Sequence, residues 1–159
     1  MDIRLAKKEN IHDIMDIIKE RCDWFYKNNI DQWANNYLRR YNENYFSEVM
    51  QPHKLYVVSQ ENKVIGVFLL KEEDKTYWKN DDSAYYIHHL ATRIGYSGVG
   101  TEIIQFIEQL ARKNSKKYIR LDCKKSNNKL NQYYQKQGFL YKGSGEEPYS
   151  YNLWEKEIV

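Results

Sequence analysis

Leu90-Ala91-Thr92, then Ser97-Gly98-Val99-Gly100-Thr101, then Ile103-Ile104-Gln105-Phe106-Ile107: the reading of this stretch decides the fold. A strand ends, a short glycine-bearing turn follows, and an amphipathic helix begins. Backbone N–H groups at the start of a helix lack partners within the helix, and the helix dipole adds positive charge at the same end. Such a place accepts phosphate. Gly98 and Gly100 carry no Cβ, so a pyrophosphate can come close to the backbone there. Many strand-to-helix turns hold glycine for packing alone, so the turn is a hypothesis that the rest of the chain must support.

Upstream of this stretch, Tyr85 to Thr92 reads as its strand. Leu55 to Ser59 and Val64 to Leu70 form a hairpin about the turn Glu61-Asn62-Lys63. The unbroken apolar run of the second arm predicts burial on both faces. Ile3 and Leu5 begin the chain as a short strand, and Asn10 is placed to cap the helix that follows. On that helix Ile11, Ile14, Met15, Ile18, Cys22 and Phe25 share one face. A second helix is expected from Asp31, with Ala34, Tyr37, Leu38, Tyr41 and Tyr45 on one face.

Downstream, Tyr118 to Cys123 alternates as a strand. Ser126-Asn127-Asn128 caps a short helix that Gly138 ends. Phe139 to Lys142 and Tyr149 to Leu153 are the last two strands, around a loop from Gly143 to Pro148. The order β-α-α-β-β-β-α-β-α-β-β predicts an α/β fold with a mixed, mostly antiparallel central sheet and helices on both faces.

Composition narrows the function. With 159 residues and no composition break, residues 1–159 read as one domain. The 42% apolar content excludes wholesale disorder. A balance of 25 basic against 22 acidic residues lacks the concentrated basic face of a nucleic-acid binder. Cys22 and Cys123 have no disulfide or CxxC spacing. Met1-Asp2-Ile3-Arg4-Leu5 is not a signal-peptide pattern, and Val64 to Leu70 is too short to cross a bilayer. A cytoplasmic protein with no membrane partner is expected.

The two central blocks, in this topology, resemble the GNAT superfamily of acetyl-CoA-dependent N-acetyltransferases. The first is Leu90-Ala91-Thr92 with Ser97-Gly98-Val99-Gly100, similar to the family's pyrophosphate site. The second is Leu121-Asp122-Cys123 followed by Asn127, Leu130, Tyr133, Tyr134, Gly138 and Phe139, similar to the family's Asn-x-x-Ala-x-x-Leu-Tyr-x-x-x-Gly-Phe element. Gly95 stands where the family often has Arg or Gln, and the segment before Gly98 is about two residues short of the usual pattern. Arg93 is the candidate to replace the missing donor.

The resemblance implies acetyl-CoA as cosubstrate and an amine as acceptor, and homodimers are common in the family. It implies that the backbone of Leu90, Ala91 and Thr92 orients the thioester. Ser97, Gly98, Val99, Gly100 and Thr101 would hold the pyrophosphate. Tyr134 would protonate the leaving thiolate, since a phenol is protonated at neutral pH. Packing on the sheet is the other account of Tyr133 and Tyr134. Asn127 would cap its helix and also reach the pantetheine arm.

For the base, His88 precedes Leu90 by two residues on the same strand face, with His89 opposite by alternation. Asp122 could orient an amine or a histidine. Both residues also fit ordinary structural roles, and a water chain would serve instead. Trp33 is the best aromatic candidate to line the acceptor pocket, with Trp24, Tyr37 and Glu146-Glu147-Pro148 nearby in the family's arrangement. No metal is expected, because neighbouring strand residues face opposite ways and no ligand spacing completes a site. Lys124, Lys125 and Lys129 fit a solvated cluster better than a phosphate site. A non-catalytic acyl-CoA-binding protein on the same fold is the alternative. A dinucleotide site would need a third glycine where Ile103 stands, and a Walker-type loop would need a lysine that Val99-Gly100-Thr101 lacks.

Overall fold

The computed structural model describes residues 1–33 and 36–159. Among the described residues the elements run β1 (Asp2–Leu5), α1 (Ile11–Lys27), α2 (Tyr37–Arg40), α3 (Glu43–Val49), β2 (Lys54–Gln60), β3 (Lys63–Lys71), β4 (Ala84–Thr92), α4 (Val99–Lys113), β5 (Tyr118–Lys124), α5 (Asn128–Lys136), β6 (Leu140–Gly145) and β7 (Tyr151–Glu157). The strands form one sheet in the order β1-β2-β3-β4-β5-β7-β6. β1, β2 and β3 pair antiparallel, as do β5, β7 and β6, while β4 and β5 are parallel through Ala84–Tyr86 and Tyr118–Arg120. The mixed, mostly antiparallel sheet expected from the sequence is therefore present.

The chain divides into two compact units, Met1–Leu70 with His88–Ile103, and Lys71–Ile87 with Ile104–Val159. In the first, α1 turns Ile14, Ile17 and Ile18 inward against Val57, Val67 and Leu69 of the β2–β3 hairpin. Their spacing of three and four residues is what an amphipathic helix needs to bury one face. Every residue of the run Val64–Leu70 is buried, and the missing side chain of Gly66 lets Val58 approach. Asn10 stands at the helix start, but its Oδ1 accepts from Lys7 N (2.8 Å) and Arg4 (3.1 Å) rather than from the first turn of α1.

The second helix differs from expectation. It begins at Tyr37, not Asp31, and is two short helices. Tyr41 leaves helical geometry at ψ 71°, and Asn42 then caps α3 by accepting from Tyr45 N at 3.0 Å. The polar Asn42-Glu43-Asn44 segment supplies a new start, which is why one apolar face is carried on two axes. Ala34, expected on that face, lies outside the described residues.

In the second unit, β5 and β7 pair along their whole length, from Tyr118 with Glu157 to Lys124 with Tyr151. One face of this pair carries Arg120, Asp122, Leu153 and Glu155. The other carries Cys123, Asn152 and Trp154, which bond to α5 through Asn131. β6 runs on through Gly145 rather than ending at Lys142. Gly143 absorbs a bulge at φ +135°, and the Tyr151 ring covers Gly145 where a Cβ would collide with it. These glycines are ladder positions, not loop residues. No helix among the described residues is long and apolar enough to cross a membrane.

Candidate active site

In the first unit, the end of β4 is fastened from α1. Arg21 donates to the Thr92 carbonyl (2.5 Å) and to Thr92 Oγ1 (2.9 Å). Glu20, one residue earlier, accepts from Ile94 N (3.0 Å) and pairs with Arg93 (3.3 Å). Arg93 also donates its Nε to Val64 O and its backbone N to Ile65 O, both at 2.8 Å. Two nitrogens of its guanidinium therefore hold the strand end. Gly95 and Gly98 adopt φ of +92° and +78°, which side-chain-bearing residues rarely tolerate. Open space surrounds the position a Cβ would take on Gly98. Glu102 N donates to Gly98 O at 3.1 Å, so the amides of Val99 and Gly100 precede the first helical bond. Ser97 and Gly98 are exposed, while Val99 anchors the turn in the core. The turn thus has the charge and openness of an anion cradle.

Strict alternation fails at His89. Its φ of +54° interrupts β4, so the expectation that His88 and Leu90 share a face does not follow from period two. A non-glycine residue held there costs about 1–3 kcal/mol of strain. The surroundings over-determine it. Tyr37 OH bonds to Nδ1, and Tyr45 OH lies 2.8 Å from Nε2. Tyr41 packs on the ring at 4.5 Å and Phe46 at 5.5 Å. Burial pushes the Tyr45 phenol pKa up, so it remains a hydroxyl that can donate or accept. Trp33 continues this aromatic row, stacked on Tyr37 at 4.5 Å and edge-on to Phe25 at 5.6 Å. The row packs Trp33 against the core. His88 is half-buried beside it.

The second unit carries the other expected residues. Tyr134 is buried, 6% exposed, against Phe139, while its neighbour Tyr133 is half-buried. Burial raises the Tyr134 pKa, and the nearby Cys123, Tyr133 and Asp122 raise it further. Asn127 caps α5 by accepting from Leu130 N at 3.2 Å. One turn on, Asn131 accepts from Trp154 Nε1 (2.8 Å), Asn152 (3.0 Å) and Cys123 Sγ (3.2 Å). It donates to the carbonyls of Asn127 (2.8 Å) and Lys124 (3.1 Å). It locks the β5–α5 corner that carries Asn127 and Tyr134.

Asp122 receives a short hydrogen bond from Tyr149 OH, whose own pKa is raised by burial and then by the Asp122 charge. Lys125 pairs with Glu146 on the surface at 3.0 Å. Sequence reasoning did not single out Tyr149, Asn131 or Arg21. Among 15 tyrosines no pattern distinguishes Tyr149. Asn131 offered one weak signal, its place one helical turn after Asn127.

Comparison with known proteins agrees with this arrangement. A model of the acetyltransferase (GNAT) family matches residues 14–139. An uncharacterized N-acetyltransferase of Bacillus subtilis, YesJ, is 25% identical over 162 residues, covering 97% of this chain and 88% of its own. The crystal structure of a GNAT-family acetyltransferase from Listeria monocytogenes superposes with a TM-score of 0.82 at 24% identity, over 99% of this chain and 94% of that one. That of the PaiA N-acetyltransferase from Thermoplasma acidophilum, in complex with coenzyme A, gives 0.79 at 16% identity, over 98% of each chain. The glycine turn, the Asn127-to-Phe139 element and the family match over most of the chain together make this protein a member of the GNAT family of acetyl-CoA-dependent acyltransferases.

Proposed function

We propose that the chain moves an acetyl group from acetyl-CoA to a primary amine of a small molecule or peptide by direct attack. The observation that carries this reading is Tyr134: a buried phenol, kept protonated by its surroundings, in the family's acid position. The amine lone pair forms a C–N bond to the thioester carbonyl while the C–S bond breaks. Tyr134 gives its proton to the leaving sulfur, and the proton shed by the new amide nitrogen passes through solvent to the phenolate, restoring the phenol. Burial disfavours a thiolate as it disfavours a phenolate, so the raised Tyr134 pKa keeps the pair matched.

Leu90 and Ala91 orient the thioester along β4, with Thr92 held in register by Arg21. Ser97, Gly98, Val99, Gly100 and Thr101 receive the pyrophosphate. Asn127 reaches the pantetheine arm. His88 takes a proton from the incoming amine, which Asp122 and Trp33 help to bind. The family match, which runs across both units, supports residues 1–159 acting as one domain.

Calorimetric titration with acetyl-CoA, with ATP as control, tests the cofactor half. Binding of acetyl-CoA alone is expected, and Gly98→Ala weakens it about tenfold, since alanine at that φ strains the turn by about 1–2 kcal/mol. Binding of ATP alone would overturn the reading. Release of free thiol in the presence of amines then tests turnover.

A further inference from the structure

A cavity of about 640 Å³ opens in the second unit on the β5–β7–β6 face that carries Arg120 and Asp122. Residues 77–82 wall one side of it. None of the acceptor residues named above explains it. Its floor is Arg120, 1% exposed, which donates to Glu155 (2.8 Å), Asn80 (2.7 Å), Tyr86 (2.9 Å) and Asp82 (3.0 Å). The single charge of Arg120 is shared between the two carboxylates of the lining, Glu155 and Asp82, and offsets one of them. Two further cations line the cavity, Lys79 and Lys142, and Lys142 reaches Glu155 only at 3.6 Å. The lining is thus net positive. It also holds an unmet donor: the indole Nε1–H of Trp78, buried, has no hydrogen-bond partner among the described residues. An unpaired buried donor costs about 1–3 kcal/mol. The nitrogen itself has no exposed surface, so this cost is carried inside the wall of the cavity.

The cavity adjoins Asp122. Asp122 follows Arg120 by two residues on the same face of β5, about 6.6 Å along the strand. Tyr149, bonded to Asp122, packs against Tyr77 at 6.0 Å, and Tyr77 packs against Tyr151 at 4.9 Å. Tyr77 and Tyr151 both line the cavity. A carboxylate, an aromatic wall and a donor-rich, cationic end therefore lie in series.

We infer that the acceptor is a zwitterionic amine: its ammonium end meets Asp122, a flat or apolar body lies along Tyr77 and Tyr151, and a carboxylate meets Lys79 and Lys142. The inference rests on the acetyltransfer reading and names the substrate class of that site. A polycationic amine would place a second positive charge against Lys79 and Lys142, which disfavours it.

Matched probes test this. Thiol release with acetyl-CoA is compared for para-(aminomethyl)benzoate, its methyl ester and para-xylylenediamine. The carboxylate is expected to exceed both in kcat/KM by about tenfold, the factor one charge-assisted contact supplies. In the Lys79→Ala/Lys142→Ala variant that ratio collapses towards one. Both lysines have solvent-accessible side chains, so the variant keeps its fold, which thermal unfolding checks. Equal rates, or preference for the diamine, overturn the inference and leave acetyltransfer standing. If acetyl-CoA neither binds nor turns over, the reading itself fails. Calorimetry of the three probes without cofactor then decides the cavity alone: carboxylate binding supports it, and diamine binding or none overturns it.

Discussion

At the scale of single residues, chemistry follows from what surrounds each polar atom. Tyr134 and Tyr149 are the same side chain in two roles. Tyr149 spends its proton on Asp122, which fixes that carboxylate's direction. Tyr134 is held neutral by burial, so it keeps the proton that the proposed mechanism gives to the leaving sulfur. Tyr134→Phe keeps the ring against Phe139 and removes only the hydroxyl. We expect kcat to fall about 100-fold or more, the usual worth of a positioned acid, with the KM for acetyl-CoA little changed. Steady-state thiol release measures both constants. An unchanged kcat would return Tyr134 to packing alone. His89 illustrates the opposite use of surroundings. Its backbone strain persists because Tyr37, Tyr41, Tyr45 and Phe46 enclose the ring from helices that the sequence reads as one.

At the scale of elements, the short helices are defined by their caps more than by their faces. α5 is nine residues long, and isolated helices of that length are marginal in water. Asn127 and Asn131 hold its first turn to β5, so Tyr134 inherits its position from two asparagines. Asn127→Ala is expected to lower stability by about 1 kcal/mol, the usual worth of an N-cap. Asn127→Asp keeps the cap but puts a negative charge where the pantetheine amide is proposed to lie. Urea unfolding should find that variant as stable as the parent, while its KM for acetyl-CoA rises severalfold. If KM also stays at the parent value, Asn127 only caps. Elements were legible in the sequence wherever burial imposed a period. The run Val64–Leu70, the α1 face and the glycine turn each announce their own geometry. The break at Tyr41 was legible only in part: the polar Asn42-Glu43-Asn44 left the helix's continuation open, but an apolar face runs through it and only the cap at Asn42 ends the axis. β6 was cut short because Gly143 and Gly145 look like loop residues until a bulge and a covering ring explain them.

At the scale of the whole molecule, what the sequence could not show is mostly pairing between distant residues. Arg120 and Glu155 are 35 positions apart, and only the β5–β7 register makes them partners. Their environment also sets how stability responds to pH. Burial, and then the Asp122 charge, push the Cys123 thiol from its ordinary 9.0 up to about 12. Between those values the unfolded chain has lost the proton and the folded chain keeps it. Stability is therefore full below pH 9 and falls above it, by about 1.4 kcal/mol per pH unit for one such group. Urea unfolding across that range should show the fall, and Cys123→Ala should lessen it, with Cys22 and, above the ordinary tyrosine pKa, the buried tyrosines carrying the rest. Arg120 tests the same interior more severely. Burial lowers the pKa of its guanidinium, but bonds to Tyr86 and Glu155 outweigh that and raise it, so the group stays charged. Replacing it by methionine fills similar volume over Trp78 and Tyr118 yet leaves Glu155, whose side chain is only 10% exposed, with the longer Lys142 contact alone. Breaking a buried pair from one side costs about 3–5 kcal/mol, a large part of the stability of a typical domain. Arg120→Met should therefore unfold at much lower urea. Adding Glu155→Gln removes the stranded charge, so the double variant should recover part of the loss. A single variant as stable as the parent, or a double variant no better than the single, would mean that Glu155 does not depend on Arg120 for its place.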